Sequence, residues 1–179
     1  MSVSKRRLPH RYELGQPLFV TFRLFGSLPA GREFPVESMT SGEAFLAMDR
    51  LLDNSRFEPL HLRRPEIARL VRDSILYCSG MDYDLHAWVI MPNHVHMLVT
   101  PCTNVSSFLR RLKGYSARQA NRVLKRTGQA FWQDESYDHL VRSEQQFRST
   151  ERYILSNPVS AGLVHTIEAY PWSSAASRE

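Results

Sequence analysis

Cysteine is scarce in this chain of 179 residues, where only Cys78 and Cys102 carry a thiol. Two cysteines are too few for a disulfide framework, and they lack the spacing of a zinc site. A reducing, cytoplasmic setting is the simplest expectation for such a chain. Long apolar runs are missing too. No stretch of about 18 apolar residues occurs, so no membrane span or membrane partner is expected. The opening residues MSVSKRRLPHRYELG carry charge but no apolar segment, which argues against a secretory signal. Acid is absent from one whole region. Between Leu85 and Gln133 there is no Asp or Glu, while the same stretch holds Arg110, Arg111, Lys113, Arg118, Arg122, Lys125 and Arg126. A second basic cluster, Lys5, Arg6, Arg7 and Arg11, precedes the first acid, Glu13. Positive charge segregated in this way attracts polyanions and releases their counterions on binding. A solvated basic helix face is the bland alternative, and the net charge of +5 taken alone favours it, since basic proteins are common.

What the chain does contain is enough apolar and aromatic surface for a packed core, at 42% and 11% of its residues. That composition lies outside the range of disordered chains. The length suggests one compact domain over residues 1–179, with a core at about 17–143 and a helix and tail over 144–179. The β-branched and aromatic run PLFVTFRLF from Pro17 predicts a strand. Residues 26–41 read as a loop. Ser41 can cap a short helix to about Leu52 that presents Phe45, Met48 and Leu52 on one face. Pro65 opens a helix to about Cys78, with Ile67, Leu70, Val71, Ile75 and Leu76 as its stripe. Two strands follow, 83–91 and 94–100, joined by a Pro92-Asn93 turn. A long basic helix runs from Thr103 or Asn104 to about Arg126. A short strand covers 137–142. A last helix runs from about Glu144 to Leu155, where Asn157-Pro158 is expected to stop it. The order strand, helix, strand, strand, helix, strand is the split-βαβ, ferredoxin-like pattern. It makes the fold class α+β, with one inserted helix and a C-terminal helical extension.

The chemistry concentrates in His94-Val95-His96. Side chains two apart on a strand share a face, so both imidazoles point the same way, while Val95, Met97 and Val99 supply an apolar opposite face. Two imidazoles form a weak metal site, and a further ligand must come from elsewhere. On the long helix, Tyr115 and Gln119 lie one turn apart. Gln119 falls within the stripe Val105, Phe108, Leu109, Leu112, Ser116, Ala120 and Val123, where an amide needs a partner. A metal ion or a polar site on the sheet would satisfy it, and so would backbone. Gly114 marks a possible kink just before the pair.

At these residues the chain resembles a known family. The string from His86 to Val99, HAWVIMPNHVHMLV, is similar to the signature of single-tyrosine HUH (IS200-like) transposases. LFVTFR at 18–23, FWQDESYDHLVR at 131–142, YILSNPVSAGLV at 153–164 and YPWSSA at 170–175 resemble the subgroup called REP-associated tyrosine transposases. The resemblance runs from about Arg6 to Ala175, and its most specific element is Met-Pro-Asn-His-Val-His.

The resemblance implies a ferredoxin-like core, a divalent metal held by His94 and His96, Gln119 as the helix-borne third ligand, and Tyr115 as nucleophile. Two imidazoles and an amide oxygen suit Mg²⁺ or Mn²⁺. The implied activity is that of a single-stranded DNA endonuclease and strand transferase. It would nick and rejoin hairpin-forming, REP-like palindromes through a 5′-phosphotyrosine intermediate. The implied partner is single-stranded or hairpin DNA, handled by a monomer or a homodimer in the cytoplasm at the nucleoid. Arg110, Arg111, Lys113, Arg118 and Arg122 are expected to guide the strand, and Arg6, Arg7 and Arg11 to track a hairpin stem. Trp172 is expected to stack on an unpaired base, whereas Trp132 reads better as core. Two alternatives stand beside this reading. One is a catalytically inactive hairpin-binding module on the same fold. The other is a metal hydrolase that draws its carboxylate from Asp134, Glu135 or Asp138.

Overall fold

The computed structural model describes residues 14–28, 41–53 and 59–176. Its elements are β1 (Leu18–Arg23), α1 (Ser41–Asp53), α2 (Pro65–Cys78), β2 (Tyr83–Ile90), β3 (His94–Pro101), α3 (Val105–Val123), β4 (Tyr137–Leu140) and α4 (Glu144–Ser160). The four strands form one antiparallel sheet in the order β2-β3-β1-β4. With α2 and α3 as the crossovers, this is the ferredoxin-like arrangement; α1 is the inserted helix and α4 the appended one. Among the described residues, no helix is long and apolar enough to cross a membrane.

Strand periodicity decides which helix covers which face. Leu18, Val20 and Phe22 of β1, Trp88 and Ile90 of β2, and Val95, Met97 and Val99 of β3 point to one side. There they pack with Ile67, Val71 and Ile75 of α2 and Phe108, Leu112 and Ala120 of α3. The alternate residues, Phe19, Ala87, Val89 and Leu98, point to the other side and pack with Phe45 of α1 and Ile154 and Leu155 of α4. His94 and His96 share the parity of Leu98. They therefore lie on the α1/α4 side, with the sheet between them and α3.

Two helices differ from the sequence expectation. Gly114 does not kink α3, which is continuous and is capped by Asn104 accepting from the Ser107 N–H at 3.1 Å. The expected stop at Asn157-Pro158 does not occur, and α4 runs on to Ser160 with Pro158 inside it. Proline forfeits only the one N–H bond due to it near the helix end. Burial of Ile154, Leu155, Asn157 and Pro158 holds the turn in place. The helix closes at Gly162, whose positive φ of 69° suits glycine; the Gly162 and Leu163 N–H groups donate to the Val159 and Pro158 carbonyls. The C-terminal tail lies along the outer edge of β2. Ile90 N–H donates to the Trp172 carbonyl at 2.8 Å and Ser174 N–H to the Trp88 carbonyl at 3.0 Å.

Candidate active site

The His94 and His96 rings are fully buried, so the histidine face is a closed compartment between the sheet and α1/α4 rather than an open polar surface. Each imidazole is oriented through its Nδ1. The Asn93 amide group donates to the Leu52 carbonyl at 3.0 Å, which turns its Oδ1 toward His94 Nδ1 at 2.7 Å. Because that oxygen can only accept, His94 Nδ1 carries the proton and Nε2 is left with a lone pair. His96 Nδ1 lies 2.7 Å from the Thr21 hydroxyl on the neighbouring strand β1. Outer partners of this kind fix the tautomer and aim of metal-binding histidines. The two Nε2 atoms face each other at 3.1 Å. Burial first, and then the neighbouring His96, push His94 down to about 3, so it is neutral at ordinary pH.

Helix α1 brings a carboxylate to this point. Asp49 Oδ1 is 3.1 Å from His96 Nε2 and 3.5 Å from His94 Nε2, with the side chain only 2% exposed. Burial works to raise the Asp49 carboxyl, but the imidazoles beside it, His96 foremost, hold it below the usual carboxylate range. One turn further, Asp53 Oδ1 lies 3.8 Å from His94 Nε2. Burial and then the Asp49 charge push this second carboxyl up to about 7. Helix α4 completes the cluster. The Tyr153 hydroxyl donates to Asp49 Oδ2, and the Asn157 amide approaches the same oxygen at 3.4 Å. The Tyr153 ring also lies 5.8 Å from the His96 ring.

The chemistry of this cluster fits a cation. Donor atoms of Asp49, His94 and His96 all lie within 4.8 Å of one another. Asp49 Oδ1, Asp53 Oδ1 and Asn157 Oδ1 are buried and make no hydrogen bond. Buried acceptors without donors are costly. Asp49 Oδ1 beside the two opposed imidazoles forms a donor set that a divalent cation satisfies.

His94 and His96 come together as the sequence predicts. Tyr115 does not join them: it is 51% exposed on α3, on the far side of the sheet. Gln119, on the same helix, is half-buried at the edge of the stripe and takes a hydrogen bond from Arg122 at 3.4 Å. The tyrosine and amide that do meet the imidazoles are Tyr153 and Asn157. They share the spacing of Tyr115 and Gln119 and are visible in YILSNPVSAGLV, but a helix stop at Asn157-Pro158 would separate them. Asp49 escapes sequence reasoning as well, although an Asp four residues after Phe45 sits on the apolar arc of its helix. Of the alternative carboxylates, Asp134 and Glu135 are exposed and Asp138 is only half-buried on β4.

The basic residues on α3 are not equivalent. Lys113 is turned inward and donates to the Gln133 and Asp134 carbonyls and the Ser136 hydroxyl at 2.7, 2.9 and 3.1 Å. Arg111 pairs with Asp82, and Arg110, Arg118 and Arg122 are exposed. Trp172 packs half-buried against the α2/α3 core. Trp132 is core, its indole donating to the Ser116 hydroxyl at 2.9 Å. Arg6, Arg7 and Arg11 lie outside the described residues.

The chain is also similar to known proteins. The family described as "Transposase IS200 like" matches residues 66–157, a span that includes His94 and His96 and both tyrosine–amide pairs, Tyr115/Gln119 and Tyr153/Asn157, but not Asp49. A Haemophilus influenzae protein assigned to the REP-associated tyrosine transposases is 27% identical over 109 residues, covering 54% of this chain and 61% of that one. The REP-associated tyrosine transposase of Escherichia coli K12 is 25% identical over 92 residues, covering 51% and 54%. The chain thus spans little more than half the length of these curated relatives. A solved structure of a REP-associated tyrosine transposase bound to a REP hairpin shares the fold. Its TM-score is 0.63 at 19% identity, over 96% of this chain and 84% of that one.

Proposed function

Because the chain belongs to the IS200-like transposase family, we propose that it nicks and rejoins single-stranded DNA beside hairpin-forming palindromes, with Tyr153 as nucleophile and His94, His96, Asp49 and Asn157 holding a divalent metal. The observation that carries this reading is the meeting of the Tyr153 hydroxyl, the Asp49 carboxylate and the two imidazoles in one cluster. Family membership supports the DNA-processing activity. The fold neighbour is bound to a REP hairpin, and the hairpin substrate is carried to this chain from that likeness.

The residues divide the work in a chemically complete way. Tyr153 Oη attacks phosphorus as the P–O3′ bond breaks, leaving a 5′-phosphotyrosine and a free 3′-hydroxyl. Asp49 Oδ2 already accepts the hydrogen bond of the phenol, so it both aims the hydroxyl and offers a place for its proton. The departing 3′-oxygen takes a proton from solvent. The covalent link conserves the energy of the broken bond, so a second 3′-hydroxyl can reverse the step without a nucleotide cofactor. Asn93 and Thr21 hold the two imidazoles with their Nε2 atoms inward. When bound, a divalent cation offsets the negative charge of the non-bridging phosphate oxygens. Mn²⁺ and Mg²⁺ suit a mixed imidazole and oxygen donor set.

The test is incubation of the full chain with a labelled hairpin oligonucleotide and Mn²⁺, read as a denaturant-resistant protein–DNA adduct. Wild type and Tyr115→Phe should both form the adduct, and Tyr153→Phe should form none. An adduct that persists in Tyr153→Phe but vanishes in Tyr115→Phe would return the nucleophile to α3. Binding without any adduct in the wild type would leave a hairpin-binding module.

A further inference from the structure

The second carboxylate of α1 has no part in the chemistry assigned to Tyr153 and Asp49. Asp53 follows Asp49 by four residues, so both project from one face of the helix toward the imidazoles. Asp53 is 16% exposed and its Oδ1 makes no hydrogen bond, although it sits 3.8 Å from His94 Nε2. Among the described residues, the basic groups within ion-pair distance of these carboxylates are the two imidazoles. Two carboxylates one turn apart, partly or wholly buried, repel one another and lose hydration, and burying such a pair is destabilising unless a cation compensates it. Asn157 Oδ1, on a side chain 2% exposed, is buried beside them without a partner.

We propose that Asp53 is a further donor of the metal centre, so that α1 supplies an Asp49/Asp53 pair which, with the imidazoles and Asn157, takes a hard divalent cation of the Mn²⁺ and Mg²⁺ class. This rests on the metal site proposed for the nicking reaction and adds to it. The charge balance favours the assignment. Two neutral imidazoles and an amide leave a divalent cation uncompensated, Asp49 alone offsets half of its charge, and Asp53 offsets the remainder. The donor chemistry points the same way, because each added carboxylate oxygen moves the set from zinc-like toward Mn²⁺ and Mg²⁺. Both aspartates precede residue 66, where the family match begins. The inserted helix is thus the source of this carboxylate pair.

The experiment is calorimetric titration of the full chain with Mn²⁺, without DNA, for wild type, Asp53→Asn, Asp53→Ser and the exposed-carboxylate control Glu168→Gln. Circular dichroism of each apo form checks the fold. Asp53→Asn keeps the side-chain shape and removes the repulsion, so it should fold as well as wild type. Both Asp53 variants should bind Mn²⁺ about 10–100-fold more weakly, the range seen when residues around a metal site are lost, and the control should match wild type. Mn²⁺ affinity within twofold of wild type in both Asp53 variants overturns the assignment, as does a wild type that takes up no Mn²⁺. If the variants bind normally while the wild type still forms the Tyr153 adduct, Asp53 is excluded and the proposed function stands.

Discussion

Lys113 shows what a single half-buried charge does to this protein. Burial, partly countered by Asp134, lowers its ammonium from 10.5 to about 8. The unfolded chain therefore holds a proton that the folded one has lost between about pH 8 and 10.5, and stability rises with pH across that window. At 1.36 kcal/mol per unit the ceiling is about 3 kcal/mol. Relative to Lys113→Met, wild type should thus gain stability between about pH 7 and pH 10, measured by urea unfolding at each pH. A difference that stays flat would show that the ammonium keeps its proton throughout. The same residue illustrates how far sequence reading reaches. Lys113 reads as one more cation on a basic helix, and only the three acceptors around its Nζ reveal it as a clamp between α3 and the approach to β4. The imidazole pair was legible because strand period two leaves no freedom in where His94 and His96 point. The tyrosine beside them was not. Tyr115 and Tyr153 each have an amide partner one turn on, and sequence does not say which helix packs on the histidine side of the sheet.

At the scale of elements, the helix ends are where local chemistry can be tested. The Ser143 hydroxyl accepts from the Gln146 N–H at 3.1 Å and caps α4. Ser143→Ala should therefore cost about 1 kcal/mol. At Gly162 a Cβ would meet nothing within 4 Å, but its φ of 69° is unfavourable for other residues. Gly162→Ala should also lower stability, by about 1–2 kcal/mol, in the same unfolding assay. Strands and most helix spans followed from periodicity because apolar stripes and sheet faces are matched in register. The exceptions have local causes. Asn-Pro signals a break, yet a proline in the last turn sacrifices only one hydrogen bond. Asp49 was obscured because Phe45, Met48 and Leu52 make α1 look like an ordinary amphipathic helix. A carboxylate inside a buried arc is itself the legible sign of a counter-charge nearby. If that counter-charge is a cation, Mn²⁺ should slow amide hydrogen exchange in α1 by about tenfold or more and leave α2 unchanged. Equal exchange with and without Mn²⁺ would separate α1 from the metal centre.

For the molecule as a whole, the sheet separates a buried cluster from an exposed basic surface. The cluster around His96 lies on the α1/α4 side, whereas the exposed cations Arg110, Arg118 and Arg122 belong to α3 on the other. A strand held by α3 must pass around the sheet to reach Tyr153. These arginines should therefore set affinity without choosing the scissile bond. Arg118→Gln should weaken hairpin binding to a similar degree across sequences and reduce the slope of log K against log salt by about 1. A change in cleavage position instead would place Arg118 at the reacting end of the DNA. The ferredoxin-like order was readable from the element sequence alone. The division between its faces required knowing that α1 and α4 fill one side while α2 and α3 fill the other.

The strip from Trp172 to Ser174 has a consequence for the exposed edge of the sheet. By bonding to Trp88 and Ile90 it occupies the donors and acceptors that the flank of β2 would otherwise offer to any passing extended chain. Shortening the polypeptide to end before Pro171 would uncover that template, and such chains tend to zip onto one another. The shortened protein should elute as dimers or larger aggregates in size-exclusion chromatography at concentrations where the intact one does not.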